Sequence, residues 1–483
     1  MYGWLEATSD RVIETSCAWV ALQGARALKV KKPVDYGFLD FSTPEKRRWA
    51  LQRELSFNRA TAPDIYRAVH PITVGPGGLA LGGDGAPVDW ALEMRAFDPA
   101  AVLSEQPERV DEALAEELGR TIARFHAGAE VRPVGGGVEA LGFTIRTNAD
   151  NLRRLAPKLG KREVEHLIAA TDQALADHAR LLERRRAEGF ARRCHGDLHL
   201  GNILLESGRP VLFDCIEFND LLSEIDVLYD AAFTVMDLWF RERRAAGNRL
   251  LNAYLDEAAR SFPPSLWDGL VLLPLFLSAR AAVRTHVTGM QGDIESARAY
   301  LVAARAHLEP PMPTLTAIGG LSGTGKTTLA RRIAPSLGAA PGALVLRTDE
   351  IRKRLAGAAP TERLPAAAYG AGASERVYAE MLAVARRALA AGRSVVLDAV
   401  FLKPGERAAA KSLAGEAFVI FQGAWLEGQP AELRRRLDAR AGDASDAGVA
   451  VLDEQLARDP GPIDWLRLGA DDLESAAARM LSP

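Results

Sequence analysis

The segment Gly320 to Thr327 constrains the fold of this chain more than any other part of the sequence. Its residues, GLSGTGKT, match the pattern G-x-x-x-x-G-K-[ST] and stand between an apolar strand-like stretch, LTAIGG, and a helix-like stretch, TLARRIAPSL. Glycines let the backbone curl until successive N–H groups converge in front of the positive end of a helix. The segment therefore predicts a strand, a phosphate-binding loop and a helix within a parallel α/β sheet.

The side chains of this loop complete the predicted phosphate site. We expect Lys326 to contact the β- and γ-phosphates of ATP and Thr327 to hold Mg²⁺. A chance glycine-rich turn is the alternative, but chance rarely supplies a Lys-Thr pair between two matching elements. The predicted nucleotide-binding residues of the loop are Gly320, Ser322, Gly323, Thr324, Gly325, Lys326, Thr327 and Thr328.

Two further strand patterns end in aspartates. VLRTDEIRKRL places Asp349 at the end of a second strand and Arg352 on the following helix, and SVVLDAV ends a third strand at Asp398. In an open parallel sheet these strand ends face the ligand crevice. We predict that Asp349 orients or deprotonates an acceptor hydroxyl, that Arg352 binds a phosphate or an anionic substrate, and that Asp398 holds Mg²⁺ or water. The alternatives are a helix N-cap for Asp349 and a structural role for Asp398.

An arginine-rich segment follows these strands. AELRRRLDARAGDASDAGVAVLDEQ contains Arg434, Arg435, Arg436 and Arg440 in a helix-turn pattern. Such a segment can close over ATP as a lid, so Arg436 and Arg440 are predicted to bind nucleotide. A solvated helix face is the alternative.

A second group of polar residues lies far upstream. His195-Gly-Asp-Leu-His-Leu-Gly-Asn202 gives the pattern H-x-D-x-x-x-x-N, and VLFDCIEF then places Asp214 at the end of a strand. Phosphoryl transfer needs a carboxylate to receive the acceptor proton, which we assign to Asp197, and oxygen ligands for Mg²⁺, which we assign to Asn202 and Asp214. A zinc site is the alternative, but no further ligand stands at zinc-like spacing.

The chain divides at a proline-rich segment. Its 483 residues are enough for two or three domains. An Ala- and Arg-rich helical pattern ends at Pro310, Pro311 and Pro313, which cannot continue a helix. We predict a first domain at 1–308, a linker at 309–314 and a second domain at 315–483. Strand patterns at 18–22, 26–31 and 90–95 and a helix at 44–59 precede a mostly helical region, so the first domain is predicted to be bilobal.

Composition and charge exclude several classes of protein. Hydrophobic residues make up 48% of the chain and charged residues 25%, as in a globular rather than a disordered protein. The cysteines, Cys17, Cys194 and Cys215, are too few for a disulfide framework and favour a reducing cytoplasm. The formal net charge is −3, and the second predicted domain is nearly neutral, so nucleic acid is not the expected partner.

Neither secretion nor membrane insertion is expected. The first residues, MYGWLEATSDRVIE, lack the basic start and apolar core of a signal peptide. The longest apolar stretch, around 270–279, is about half the length of a membrane span. The sequence does not predict an oligomeric state.

The motifs after the linker resemble a known group of kinases. The strand, G-x-x-x-x-G-K-T, D-x-x-R, the strand-borne aspartate and the arginine-rich segment are similar to P-loop kinases of the gluconate kinase, zeta toxin and polynucleotide kinase kind, over residues 313 to 483. The resemblance implies phosphoryl transfer from ATP, with Mg²⁺, to a hydroxyl of a small molecule, a nucleotide sugar or a nucleic-acid end.

The upstream motif resembles a second family. HGDLHLGN followed by a strand-borne aspartate is similar to the aminoglycoside phosphotransferase family, which is protein-kinase-like, and the resemblance covers residues 1 to 308. It implies that Lys29, with Lys31 as a rival, is the ATP-contacting lysine and that Glu54 is its ion-pair partner. It also implies that the backbone of Glu93 to Arg95 binds adenine.

The order of the motifs resembles proteins described as bifunctional aminoglycoside phosphotransferase/ATP-binding proteins. This resemblance implies an α+β bilobal kinase-like domain followed by an α/β P-loop kinase domain with a parallel sheet. We expect two ATP-dependent modules that phosphorylate hydroxyls of small molecules. Because the first lobe offers only Gly24 where a glycine-rich loop would lie, a nucleotide-sensing pseudokinase that regulates the other module is the main alternative. A nucleic-acid-end kinase and a true antibiotic-resistance enzyme are weaker alternatives.

Overall fold

The structure is a computed structural model that describes residues 1–37, 39–439 and 445–482. The chain packs as two compact units. The first comprises Met1–Val110, Gly128–Thr147 and Ala179–Asp237, and the second comprises Asp111–Ala127, Asn148–His178 and Leu238–Pro483. The predicted linker at 309–314 lies within the second unit, so helices that precede the prolines pack with the domain that follows them.

An antiparallel sheet forms the N-terminal part of the first unit. Its strands are ordered β1-β2-β3-β6-β4-β5, and helix α2 packs against β4 and β6. Thr43 accepts a hydrogen bond from the Lys46 N–H at the start of α2, and Pro44 occupies the first turn. The predicted strands and helix of this lobe are confirmed. The elements are α1 (Tyr2–Thr8), β1 (Arg11–Glu14), β2 (Ala18–Gln23), β3 (Arg26–Lys31), α2 (Pro44–Asn58), β4 (Tyr66–Gly75), β5 (Gly78–Leu81) and β6 (Pro87–Arg95).

The region that follows is mostly helical, as predicted, and two short antiparallel strand pairs interrupt it. Strand β7 pairs with β10, and β8 pairs with β9 in a hairpin that follows the H-x-D motif. The elements are α3 (Glu112–Gly128), α4 (Gly137–Leu159), α5 (Lys161–Ala187), β7 (Ala191–Arg193), β8 (Ile203–Glu206), β9 (Arg209–Leu212), α6 (Asp220–Ser223), β10 (Glu224–Asp226), α7 (Val227–Phe240), α8 (Arg244–Ala258), α9 (Leu273–Met290) and α10 (Ile294–His307).

A parallel sheet of strand order β12-β13-β11-β14-β15 forms the C-terminal part of the second unit. Ile318, Leu329 and Val396 lie in the core between this sheet and its helices. The predicted α/β architecture is confirmed. The elements are β11 (Thr314–Gly320), α11 (Lys326–Ile333), β12 (Leu344–Arg347), α12 (Thr348–Leu355), α13 (Ala371–Ala390), β13 (Val395–Asp398), α14 (Pro404–Glu416), β14 (Ile420–Glu427), α15 (Pro430–Asp438), α16 (Val449–Leu456), β15 (Leu466–Gly469) and α17 (Leu473–Leu481).

One helical stretch among the described residues, Pro264–Met290, has the length and apolar character of a membrane span. It is longer than the predicted apolar stretch because a 3-10 helix leads directly into α9. Within the protein, 78% of its most apolar 18 residues are buried, so core packing accounts for its composition.

Helix α8 covers the edge of the parallel sheet. Strand β12 is an edge strand, and its backbone groups need partners when they are buried. Asn252 Oδ1 accepts from the Val345 N–H at 2.7 Å, and Asn248 Nδ2 donates to Ala343 O at 2.9 Å. Two asparagine side chains thus occupy the position of a neighbouring strand, which explains why α8 packs with the P-loop domain.

Ion pairs attach the same helix to α12. Asp256 on α8 accepts from Arg354 on α12 at 2.8 Å and from Arg120 on α3 at 3.1 Å. Arg260 Nη1 donates to Ala358 O at 2.7 Å, just after α12. Helices that precede the prolines therefore fix both ends of the β12–α12 segment.

Replacing Asn252 should destabilise this edge locally. In Asn252→Ala the Val345 N–H loses its buried acceptor, a change that costs about 1–3 kcal/mol. Native-state hydrogen exchange at the Val345 amide should then accelerate about tenfold or more. Asn151→Ala, on the half-exposed part of α4, is the matched control. Equal protection of Val345 in wild type and Asn252→Ala would contradict the edge-covering role of α8.

Candidate active sites

In the first unit, Lys29 joins two carboxylates. Its Nζ atom lies 2.7 Å from Glu54 Oε1, on α2, and 2.7 Å from Asp214 Oδ1, just after β9. Burial would lower the pKa of Lys29, but the two carboxylates outweigh it and raise that pKa well above its ordinary value. Burial likewise opposes ionisation of Asp214, yet Lys29 lowers its pKa. Lys29 and Asp214 are therefore both charged at neutral pH.

Lys31, on the same face of β3, has different partners. Its Nζ atom contacts Glu54 Oε2 and Glu217 Oε1, both at 2.7 Å, and the residue is only 2% exposed. Asp214 contacts Lys29, whereas Lys31 contacts Glu217. The two rival lysines thus share Glu54 but differ in their second carboxylate.

The H-x-D loop places Asp197 beside Asn202. Asn202 Nδ2 donates to Asp197 O at 2.8 Å and to Asp197 Oδ2 at 3.0 Å. Burial lowers the pKa of His195, so its ring is neutral at pH 7. Its Nδ1 accepts from the Asp197 N–H at 3.3 Å, and its Nε2–H donates to Phe213 O at 2.8 Å. His195 thus joins the loop to the segment that contains Asp214.

Two buried aspartates on α7 hold the same loop, and sequence analysis missed them. Asp230 accepts from the N–H groups of His195 and Gly196 at 3.0 and 2.9 Å, and Asp237 accepts from the Leu200 N–H at 3.0 Å. The available signal was their seven-residue spacing, which puts two acids on one face of an otherwise apolar helix.

The backbone predicted to bind adenine, Glu93 to Arg95, belongs to a strand inside the sheet. Strand β6 lies between β3 and β4, so its backbone groups pair within the sheet. The Arg95 N–H donates to Ile65 O at 2.8 Å, and the Ala96 N–H donates to Ala25 O at 2.9 Å. The side chain of Glu93 contacts His70, and that of Arg95 contacts Glu206. Hydrogen-bonded pairing thus continues one residue beyond the end of β6, to Ala96.

In the second unit, the phosphate loop and the third strand meet as predicted. Thr327 Oγ1 donates to Asp398 Oδ2 at 2.6 Å, and Arg347 Nε lies 3.3 Å from the same oxygen. Gly323 has φ +86°, and a Cβ atom there would lie 2.9 Å from Leu433 O, so this position requires glycine. The loop therefore brings a hydroxyl and a carboxylate together at the end of the sheet.

The other loop residues have distinct environments. Gly320 and Gly325 also have positive φ, at +138° and +86°. Lys326 Nζ donates to Leu321 O at 2.9 Å, and Thr324 Oγ1 donates to the same carbonyl at 2.8 Å. Ser322 is buried, whereas Thr328 is exposed at the start of α11.

Asp349 lies in the first turn of α12 rather than at the end of a strand. Strand β12 ends at Arg347, which occupies the N-cap position, so the N-cap alternative for Asp349 is wrong. Burial raises the pKa of Asp349, and the nearby Asp398 carboxylate adds to this rise, while Arg347 and Lys326 oppose it. Arg347 pairs with Asp398 across β12 and β13, so the first turn of α12, with Asp349, begins beside the strand-borne aspartate.

Arg352 lies on the wall of a cavity of about 520 Å³. Its Nη1 atom donates to Ala368 O at 2.7 Å, and its guanidinium lies 4.8 Å from the centre of the Tyr369 ring. Arg376 and Glu380 line the same cavity, with alanines around them. The cavity therefore lies beside the guanidinium groups of Arg352 and Arg376.

The arginines of the predicted lid form ion pairs on α15. Arg436 Nε donates to Glu432 Oε1 at 2.8 Å, and its Nη1 donates to Ala470 O at 2.9 Å. Arg434 contacts Asp453 on α16 at 2.7 Å. Arg440 lies outside the described residues.

Two family models match the chain. The phosphotransferase enzyme family matches residues 51–264, and a model described as an AAA domain matches residues 315–462. A protein of Mycobacterium tuberculosis and one of Mycobacterium bovis are each 33% identical over 471 residues, which cover 94% of this chain and 90% of either relative. The chain belongs to the bifunctional aminoglycoside phosphotransferase/ATP-binding protein family. Like its family, the protein is an ATP-dependent phosphotransferase, and kinases of these families usually use Mg²⁺.

Solved structures resemble parts of the chain. A gluconokinase from Sinorhizobium meliloti is 22% identical, with 35% of this chain and 90% of that chain covered and a TM-score of 0.25. A choline kinase from Cryptosporidium parvum is 10% identical, with 64% and 94% covered and a TM-score of 0.42. A thermostable mutant of an aminoglycoside phosphotransferase is 15% identical, with 62% and 94% covered and a TM-score of 0.37.

Asp349→Asn tests the predicted base of the P-loop site. A base must be ionised, so the rate should fall as pH drops through the pKa of Asp349, which burial raises above its ordinary value. Asparagine cannot accept the proton, so turnover should fall about a hundredfold while ATP affinity is retained. Steady-state kinetics and calorimetry measure the two effects. Glu375→Gln, exposed on α13, is the control, and near-normal turnover in Asp349→Asn would remove Asp349 from the site.

Proposed function

We propose that the protein contains two independent kinase sites, one in each unit, and that each transfers the γ-phosphate of ATP to a hydroxyl of a small molecule. The main observation in support is the contact of Lys29 with both Glu54 and Asp214 at 2.7 Å. A lysine held in this way can bind phosphates beside a metal-binding carboxylate, which is the arrangement that protein-kinase-like catalysis requires. On this basis we propose Lys29 as the ATP lysine and a structural role for Lys31.

The acceptor proton in the first site passes to Asp197. Asn202 Nδ2 donates to this carboxylate, which leaves Asn202 Oδ1 as the atom able to bind a cation. Asn202 and Asp214 offer hard oxygen ligands that fit Mg²⁺, and the ion would neutralise charge on the phosphates. Because strand pairing continues through Ala96, we place adenine beside Phe97, whose ring packs against Phe213 with centroids 5.1 Å apart.

In the P-loop site, Thr327 and Asp398 would hold Mg²⁺, and Lys326 would bind the β- and γ-phosphates. Asp349 accepts the proton of the acceptor, and Arg352 binds an anionic group on it. The cavity beside Arg352, about 520 Å³ in volume, has a size that suits a small molecule. Cys194 and Cys215 are buried cysteines outside any disulfide, which fits a reducing cytoplasm.

One observation favours a second function for the first unit. The turn between β2 and β3 contains Gly24 in place of a glycine-rich loop over the phosphates. A short turn covers a triphosphate poorly, so this unit would bind ATP weakly and act as a nucleotide sensor for the P-loop kinase. The contacts of Lys29 with Glu54 and Asp214 favour an active site over this alternative.

Separate variants should remove separate activities. We expect a panel of metabolites and nucleosides, incubated with γ-labelled ATP and the full chain, to yield at least two labelled products. Asp197→Asn should abolish one product and Lys326→Ala the other, because the two residues belong to different sites. Loss of every product in Lys326→Ala, with none lost in Asp197→Asn, would contradict two active sites and favour the sensor.

A further inference from the structure

Helix α16 contacts the phosphate loop through Gln455. The Ser322 N–H donates to Gln455 Oε1 at 2.8 Å, and Gln455 Nε2 donates to Ser322 Oγ at 3.0 Å. A backbone N–H can only donate, so it fixes the orientation of the carboxamide, with Oε1 toward the backbone and Nε2 toward the hydroxyl. Gln455 therefore binds both polar groups of Ser322.

This contact sets the direction of the Ser322 hydroxyl. Because an amide nitrogen can only donate, Ser322 Oγ acts as the acceptor toward Gln455. The hydroxyl proton must then be directed to a different acceptor. Ser322 is 7% exposed and stands in the phosphate loop four residues before Lys326, where a triphosphate supplies acceptor oxygens.

Apolar packing holds Gln455 in place. Leu321 of the loop packs in a cluster with Leu433 and Leu437 of α15 and Leu452 of α16. The loop also approaches α15 closely at Gly323, where a Cβ atom would lie 2.9 Å from Leu433 O. The two helices and the loop thus form one packed group, so Gln455 acts on Ser322 from a fixed position.

We propose that the Ser322 hydroxyl donates a hydrogen bond to a γ-phosphate oxygen of ATP and that Gln455 is the positioning residue that directs this donor. The inference rests on the proposed function of the P-loop site. It adds a physical basis by which that site distinguishes ATP from ADP, since only ATP supplies the acceptor.

Gln455→Glu tests the direction of the hydroxyl with little change of shape. A carboxylate accepts from both the N–H and the O–H of Ser322, so the contact persists while the hydroxyl proton turns away from the nucleotide. Calorimetry on the full chain compares a non-hydrolysable ATP analogue with ADP, both with Mg²⁺. We expect affinity for the analogue to fall about tenfold, as for a lost hydrogen bond to a charged group, and affinity for ADP to change less than about twofold.

A double-mutant cycle separates this effect from charge repulsion. Ser322→Ala should also weaken binding of the analogue about tenfold, and Ser322→Ala with Gln455→Glu should be no weaker than either single variant. Additive losses would mean that the new carboxylate simply repels phosphate and would overturn the proposal. Equal losses for the analogue and ADP would overturn it as well, because they indicate a structural role only.

Two controls keep the outcomes distinct. Glu454→Gln, exposed beside Gln455, should leave both affinities unchanged. Binding at the P-loop site is the part of the calorimetric heat that Lys326→Ala abolishes. If Lys326→Ala abolishes none of the heat, the result contradicts the proposed function of the P-loop site rather than the role of Gln455. Should thermal unfolding show that Gln455→Glu does not fold, Ser322→Ala remains decisive, since an unchanged preference for the analogue over ADP would overturn the proposal.

Discussion

The edge of strand β12 must be covered, and the rest of the second unit depends on how this is done. Asn252 and Asn248 on α8 bind the backbone of Val345 and Ala343 where another strand would pair. Strand β12 ends at Arg347, which contacts Asp398 and so shapes the P-loop site. A helix from the region before the prolines thereby supports a site formed after them. The second sequence domain is incomplete as a packing unit without α8.

In both sites a cation lies beside an aspartate. Burial disfavours the charged form of a carboxylate unless a cation lies beside it. Lys29 supplies the compensating charge for Asp214, and Arg347 lies within 3.3 Å of Asp398. Glu54 and Glu350 in turn accept from these two cations, which fixes their positions. Each proposed site is therefore built on a network of paired charges.

Short sequence patterns correctly predicted the elements that depend on neighbouring residues. The phosphate loop, the hairpin after the H-x-D motif and the strand that ends at Asp398 follow from residue spacing and were found. Long-range contacts were not predicted. The hydrogen bond from the Ala96 N–H and the partners of Asp230 lie far away in the sequence, so no local pattern indicates them. The sequence pattern placed Asp349 at the end of strand β12, but the strand ends two residues earlier, at Arg347, which is also the N-cap of α12. The contact of Gln455 with Ser322 spans 133 residues and has no sequence signature of its own.

We propose, above all, that one chain contains two complete sites for a nucleotide and its metal ion. A crystal structure of the full chain with a non-hydrolysable ATP analogue and Mn²⁺ tests it most directly, because anomalous scattering locates each ion independently of the protein. We expect two nucleotides per chain, with manganese beside Asn202 and Asp214 in the first site and beside Thr327 and Asp398 in the second. A single nucleotide on the phosphate loop, with Lys29 still bonded to Asp214 and no ion beside it at saturating analogue, would contradict the claim.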